Sequence, residues 1–226
     1  MKINNRDKYL NSEFVKDYDK TIDSLIPHYR EMLLMTVDTL PFSINDRLKI
    51  CEYGIGTGNM TELILKKYLN STIDGYDISP FLLEIAKKRL SGYGRRVAIY
   101  QKDITNINFK NKYDLIISTL FFHEINVRKR LKLLEKSIQY LSGRGVLMIA
   151  DFMSAGSNNL NKIYFALWYK HMVKSKISCE KAKLEVDMHR VEKYTYKKYI
   201  DLMQVKYNMK TDIVWKYLNF YILRIK

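Results

Sequence analysis

The sequence predicts an α/β fold: a doubly wound, largely parallel sheet with helices on both faces. Three observations predict it. Apolar runs alternate with amphipathic helical patterns from residue 48 to residue 151, the arrangement that covers parallel strands on both sides. Glycine recurs at 54, 56 and 58 directly after the first run, where a tight strand-to-helix turn needs backbone freedom. Asp77 closes the second run 19 positions after Gly58, about the interval at which such folds hold a ribose through a carboxylate.

Taken in order, residues 13 to 40 read as helix. Phe14, Tyr18, Ile22, Leu25 and Ile26 fall at three- and four-residue steps, and Met32, Leu33, Val37 and Leu40 continue the stripe. Pro27 breaks it in two and stands near the start of the second helix. Pro41 and the Asn45-Asp46 turn precede a strand at 48 to 53, and a helix follows at 59 to 69. The strand Thr72 to Asp77 leads to Ser79 and Pro80, an N-cap and a first helical residue, for a helix reaching Leu90. A third strand runs from Val97 to Gln101. The fourth, Tyr113 to Thr119, follows the Asn111-Lys112 turn and precedes a helix at 127 to 141. Ser142-Gly-Arg-Gly145 reads as a turn before the fifth strand, Val146 to Asp151. Helices are expected over 158 to 174 and 178 to 207, and two final strands over Thr211 to Lys216 and Leu218 to Ile225. The whole reads as one domain: a helical cap (1–45), a ligand-binding core (46–151), a helical insert on the substrate side (152–207) and terminal strands (208–226).

Composition narrows the class. The 226 residues are enough for one sizeable core. The net charge is +15, and residues 162 to 226 hold 15 Lys plus Arg against 6 Asp plus Glu. That excess suits a face for nucleic acid, or it reflects heavy use of Lys, Asn, Ile and Tyr. The basic residues are dispersed singly, not packed into runs of about 5–8, which favours the second reading. No apolar run reaches the roughly 18 residues of a membrane span. Met1 to Asp7 is polar, without a signal peptide's apolar stretch. Cys51 and Cys179 have no metal-ligand spacing, so no metal and a reduced, cytoplasmic setting are expected. Monomer and homodimer both remain open.

The chemistry begins at Glu52-Tyr-Gly54-Ile55-Gly56-Thr-Gly58. A dinucleotide fingerprint would be G-x-G-x-x-G, but Asn59 occupies its third glycine position. The spacing E-x-G-x-G-x-G resembles motif I of the class I S-adenosylmethionine (SAM) methyltransferases. That resemblance implies a Rossmann-like sheet of seven strands, the last antiparallel, with SAM as cofactor. It implies that Glu52, Gly54, Ile55, Gly56 and Gly58 hold the amino-acid end of SAM. Asp77 would hold the ribose and Asp103 the adenine amino group, with Ile104 against the ring, and Ile78 would also contact the cofactor. Ile117-Ser-Thr-Leu-Phe-Phe-His-Glu-Ile125 resembles the S-x-L-x-x-H-H region of small-molecule methyltransferases. There Ser118 and Thr119 would line the methionine portion and His123 would face the reaction centre. Histidine titrates near neutrality, so it can take a proton from an attacking nucleophile. Glu124 departs from the second His of that pattern.

Tyr18-Asp19, Ile26-Pro-His-Tyr29 and Val214-Trp-Lys-Tyr-Leu-Asn-Phe220 resemble a branch that includes carboxy-SAM synthase. In that branch the N-terminal helices fold over the cofactor, which Tyr18 and Tyr29 would contact. Two departures stand against a carboxy-SAM assignment. Lys206-Tyr-Asn-Met209 replaces an Ala-Gly-Phe, and Lys181 stands where an arginine would bind the extra carboxylate, which lysine cannot hold bidentately. The leading expectation is methyl transfer to a small molecule in a pocket built by the N-terminal helices and the insert, with Tyr164, Phe165, Trp168 and Tyr169 as lining. The alternatives are an enzyme of tRNA modification and a catalytically silent SAM-binding subunit. No Asn/Asp-Pro-Pro-Tyr motif follows the fourth strand, against amino methylation of nucleobases by that route.

Overall fold

The computed structural model describes residues 9–109, 111–190 and 194–226; Met1 to Asp7 and the side chain of Phe14 lie outside what it describes. Seven strands form one sheet in the order β3-β2-β1-β4-β5-β7-β6. The strands β1 (Lys49–Tyr53), β2 (Thr72–Asp77), β3 (Val97–Gln101), β4 (Tyr113–Thr119) and β5 (Leu141–Phe152) are parallel neighbours. β7 (Phe220–Ile225) lies antiparallel between β5 and β6 (Thr211–Tyr217). The doubly wound sheet and the antiparallel last strand are borne out. Strand order reverses between β1 and β4, and ligands of such sheets bind outside the carboxyl ends there.

The central strands are apolar on both faces because both faces are covered. Ile50, Leu115, Ile117 and Met148 pack with α3 (Tyr29–Asp38), α4 (Asn59–Lys67) and α7 (Asn158–Lys174). Their chain neighbours Cys51, Ile116, Leu147 and Ile149 face the other way, toward α6 (Val127–Tyr140) and α9 (Tyr196–Tyr207). Each fully buried Leu or Ile contributes about 1.5–3 kcal/mol. At the start of α5 (Pro80–Leu90), the Ser79 hydroxyl accepts from Leu82 N at 3.2 Å, as the Ser-Pro pair predicts.

Three differences from the expectation exceed two residues. The N-terminal stretch is three helices, α1 (Ser12–Lys16), α2 (Tyr18–Leu25) and α3. Pro27 stands in the turn, not in a helix, and His28 caps α3 in the left-handed region at φ +58°. The expected helix over 178 to 207 is two, α8 (Cys179–His189) and α9, because Thr195 makes a fresh start whose hydroxyl accepts from Lys198 N at 3.3 Å. β5 begins at Leu141: the Ser142–Gly145 segment continues the strand, with a register shift against β4 between Tyr113 and Leu115. Among the described residues, no helix is long and apolar enough to cross a membrane.

Candidate functional site

β1 delivers Tyr53 into a turn in which Gly54 and Gly56 take φ +69° and +54°, a region side chains rarely enter. The turn is pinned across the sheet, since Gly54 N and Ile55 N both donate to the Tyr76 carbonyl, at 2.8 and 3.0 Å. A Cβ on Gly54 would stand 2.8 Å from the Phe121 ring, whereas one on Gly56 would meet nothing nearer than Gly54 O at 3.9 Å. The open space beside Gly56 is a cleft bordered by Gly54, Gly56, Asp77, Ile78 and Ile104, with Tyr18 of α2 on the far wall. Asp77 organises its floor: one carboxylate oxygen accepts from Gly56 N at 3.0 Å and the other from Ser79 N at 2.9 Å.

An adjoining recess is bordered by Glu52, Ile55, Tyr29, Asn59 and Thr119. Glu52 is 1% exposed. Burial raises its pKa to about 8; the Thr61 hydroxyl, donating to Oε2, works against this, and the Asp77 charge adds to it. Above the recess, Asp19 of α2 accepts from Thr57 Oγ1 at 2.7 Å and from Asn59 Nδ2 at 3.0 Å, and it pairs with Arg89 of α5 at 2.7 Å. Arg89 also donates to the Thr57 carbonyl at 3.0 Å. Sequence reasoning missed Arg89. It sits among Lys87 and Lys88 in a basic helical run, and nothing in the pattern distinguishes it from a solvated face.

Tyr18, Tyr29, Glu52, Gly54, Ile55, Gly56, Asp77, Ile78 and Ile104 therefore meet around one continuous cleft. Others do not. Gly58 caps α4 at φ +83° beneath Leu90, so its part is conformational. Asp103 lies between two residues that border the cleft, Lys102 and Ile104, but its carboxylate accepts from Thr105 N at 3.0 Å and Thr105 Oγ1 at 2.8 Å. Ser118 is fully buried away from the cleft; its neighbour Thr119 borders it, with a buried hydroxyl that has no partner among the described residues. Leu120, next along, holds φ +53° while its N–H donates to Ala150 O at 2.8 Å. A leucine strained in this way costs on the order of 1–3 kcal/mol, and such strain gathers at functional sites.

His123 lies in a second cavity that shares Tyr9, Tyr18, Leu120 and Glu124 with the first. Its Nδ1 meets an Asp151 carboxylate oxygen and its Nε2 lies 3.3 Å from Glu124 Oε1. Burial pulls its pKa down, but the charges and hydrogen bonds of Asp151 and Glu124 outweigh this and hold it up at about 10. The ring is thus an imidazolium at neutral pH, and an imidazolium has no lone pair for a substrate proton. The base expected at this position is, in this arrangement, the cation of a buried carboxylate pair. Of the aromatics expected from the insert, Trp168 lines this cavity, while Tyr164, Phe165 and Tyr169 pack into the core. Lys181 does not line it; Glu185 and His189, one and two turns further along α8, do.

Known proteins resemble this chain in the same region. A sequence profile described as a methyltransferase domain matches residues 50–145. A carboxy-S-adenosyl-L-methionine synthase of Nautilia profundicola is 22% identical over 92% of this chain and 89% of its own length. A malonyl-[acyl-carrier protein] O-methyltransferase of Priestia megaterium is 29% identical over 70% of this chain, which spans little more than half, 56%, of that protein. Among solved structures, the plantazolicin methyltransferase BpumL in complex with S-adenosylhomocysteine (SAH) superposes with a TM-score of 0.67 at 16% identity, covering 98% of this chain and 95% of that one.

Proposed function

We propose that this chain, a class I SAM-dependent methyltransferase, moves the methyl group of SAM to a small-molecule acceptor held in the cavity around His123 and Trp168. The observation that carries the reading is the pairing of Asp77 with Gly56 N (3.0 Å) at the reversal of strand order, beside the space that Gly56 leaves open. SAM, when bound, supplies a sulfonium methyl that leaves by in-line displacement, so the hard chemistry belongs to the cofactor. The chain's residues hold and orient. The Gly54–Gly56 turn admits the methionine portion against bare backbone, and Glu52 faces its ammonium. Asp77 takes the ribose, and Ile78 and Ile104 take the adenine. Thr119 and Leu120 form the passage to the second cavity, which both α2 and the insert close against water.

The other readings find less support. An extra carboxylate on the cofactor calls for a cation, and among the described residues no Lys or Arg lines the second cavity. Mass spectrometry of ligand retained through purification tests the proposal: SAM or SAH is expected, and a carboxylated form would select the alternative. Binding of bulk tRNA that weakens steeply with salt would instead support the tRNA-linked reading.

Two further outcomes are expected. Gly56→Val places a β-branched side chain in the cleft at φ +54°; SAM affinity measured by calorimetry should fall about 100-fold, while strain costs only about 1–2 kcal/mol of stability. Gly54→Ala, whose Cβ would meet Phe121 at 2.8 Å, should lose stability more than Gly56→Ala. The second concerns pH. Glu52 with a pKa of about 8 is protonated below that pH, and it must release the proton to face an ammonium. SAM affinity should therefore rise with pH from about 6 to about 8, by up to tenfold per unit, and then level. Glu52→Gln should flatten that profile; an unchanged slope would remove Glu52 from the site.

A further inference from the structure

Three spaces adjoin beyond the carboxyl ends of β1 and β4: the cleft over Asp77, the recess beside Glu52, and the second cavity around His123 and Trp168. Among the described residues, only Tyr18 and Leu120 border all three. The Leu120 side chain offers carbon alone. The Tyr18 hydroxyl is therefore the polar side-chain group that the three spaces share.

That hydroxyl, carried by α2, makes no hydrogen bond among the described residues. Burial raises its pKa well above the ordinary 10, and Tyr29, Glu124, Asp77 and Asp19 add to the shift. Tyr29 borders the recess, Asp77 the cleft and Glu124 the second cavity. The oxygen itself, and not only the ring, thus lies within electrostatic reach of each space. At neutral pH it is an uncharged phenol, with lone pairs to offer.

The cofactor read above has the same three-way shape. A sulfonium sulfur carries three carbons: the adenosyl group, the amino-acid chain and the methyl. On the methyl-transfer reading the first lies in the cleft, the second in the recess, and the third points to the acceptor in the second cavity. The sulfur then falls where the spaces meet. Its positive charge is shared with the attached carbons, whose C–H groups are drawn to an oxygen lone pair. SAH is uncharged at sulfur and lacks that pull. A carboxylate in this place would grip the cation harder, but the charge vanishes as the S–CH3 bond breaks and its electron pair stays on sulfur. Holding the cation so tightly would deepen the ground state and slow the transfer. A phenol oxygen orients it with less penalty.

We propose that Tyr18 is a specificity-determining residue, whose hydroxyl oxygen faces the carbons of the sulfonium and favours SAM over SAH. The proposal rests on the methyl-transfer reading and adds to it how the spent cofactor is told from the fresh one.

Calorimetry of the full chain tests this with SAM, SAH and sinefungin, an analogue that carries a carbon and a protonated amine in place of the sulfonium and its methyl. Tyr18→Phe keeps the ring and removes only the oxygen. SAM affinity should fall about three- to fivefold and sinefungin affinity about tenfold or more, while SAH affinity holds. The midpoint of thermal unfolding should stay where it is, because the lost hydroxyl leaves no partner behind. Equal weakening of SAM and SAH would put the hydroxyl on a part that both share, and would overturn the proposal. Unchanged affinity for SAM or sinefungin would overturn it too, as would a lowered midpoint, which would tie the hydroxyl to the protein. None of these outcomes touches the methyltransferase reading, which fails instead if the unmodified chain binds none of the three.

Discussion

Asp77→Ala is expected to remove SAM binding detectable by calorimetry. Both carboxylate oxygens accept from backbone N–H groups, Gly56 at 3.0 Å and Ser79 at 2.9 Å. The side chain therefore shapes the glycine turn and anchors the start of α5 before any ligand arrives. Each hydrogen bond to a charged group is worth about 1.5–3 kcal/mol, so losing two leaves the turn without the shape that the proposed cofactor needs. Asp77→Asn keeps one oxygen acceptor and should lose less. Affinity near that of the unmodified chain would remove Asp77 from the ribose and place the cofactor elsewhere.

His123→Ala is expected to cost about 3–5 kcal/mol of folding stability, because it strands Asp151 and Glu124 as buried carboxylates without their shared cation. Asp151 is 1% exposed and Glu124 8%. The ring's pKa of about 10 in the folded chain lies above its ordinary 6.5. Between these values the folded state keeps a proton that the unfolded state gives up. The contribution is therefore full below about 6.5 and is lost as pH rises through about 10. Thermal unfolding of the unmodified chain should fall over that window, and the His123→Ala chain should lack the slope. A His123→Ala chain as stable as its parent would mean that the ring is not the cation that holds the two carboxylates.

Much of the sheet was legible in the sequence. Thr72–Asp77, Val97–Gln101 and Tyr113–Thr119 have the expected bounds, because each is a short apolar run stopped by turn residues. β5 was read as starting five residues late, since Gly143 and Gly145 signal a turn wherever pairing to β4 is not visible. The break between α8 and α9 was lost because Lys and Tyr carry a helical period across Arg190 and Thr195, and only the cap at Thr195 ends it. The candidate cleft was legible through Gly54 and Gly56, whose positive φ values favour glycine, and through Asp77, whose carboxylate accepts from Gly56 N. The second cavity was not. Glu185 and His189 belong to a polar helix with no motif, and only packing turns them toward Trp168. His123 was found, but its protonation depends on Asp151, 28 residues away and adjacent only across the fold.

Arg89 joins three pieces of chain: α2 through Asp19, the glycine turn through Thr57, and α5 on which it stands. The helix over the cleft and the loop beneath it meet directly through Asp19 and Thr57, and the guanidinium ties both to α5. Any motion that lifts α2 off the glycine turn would have to part Asp19 from both Arg89 and Thr57, each held at 2.7 Å, so a side chain remote from the second cavity would help to hold the cleft shut.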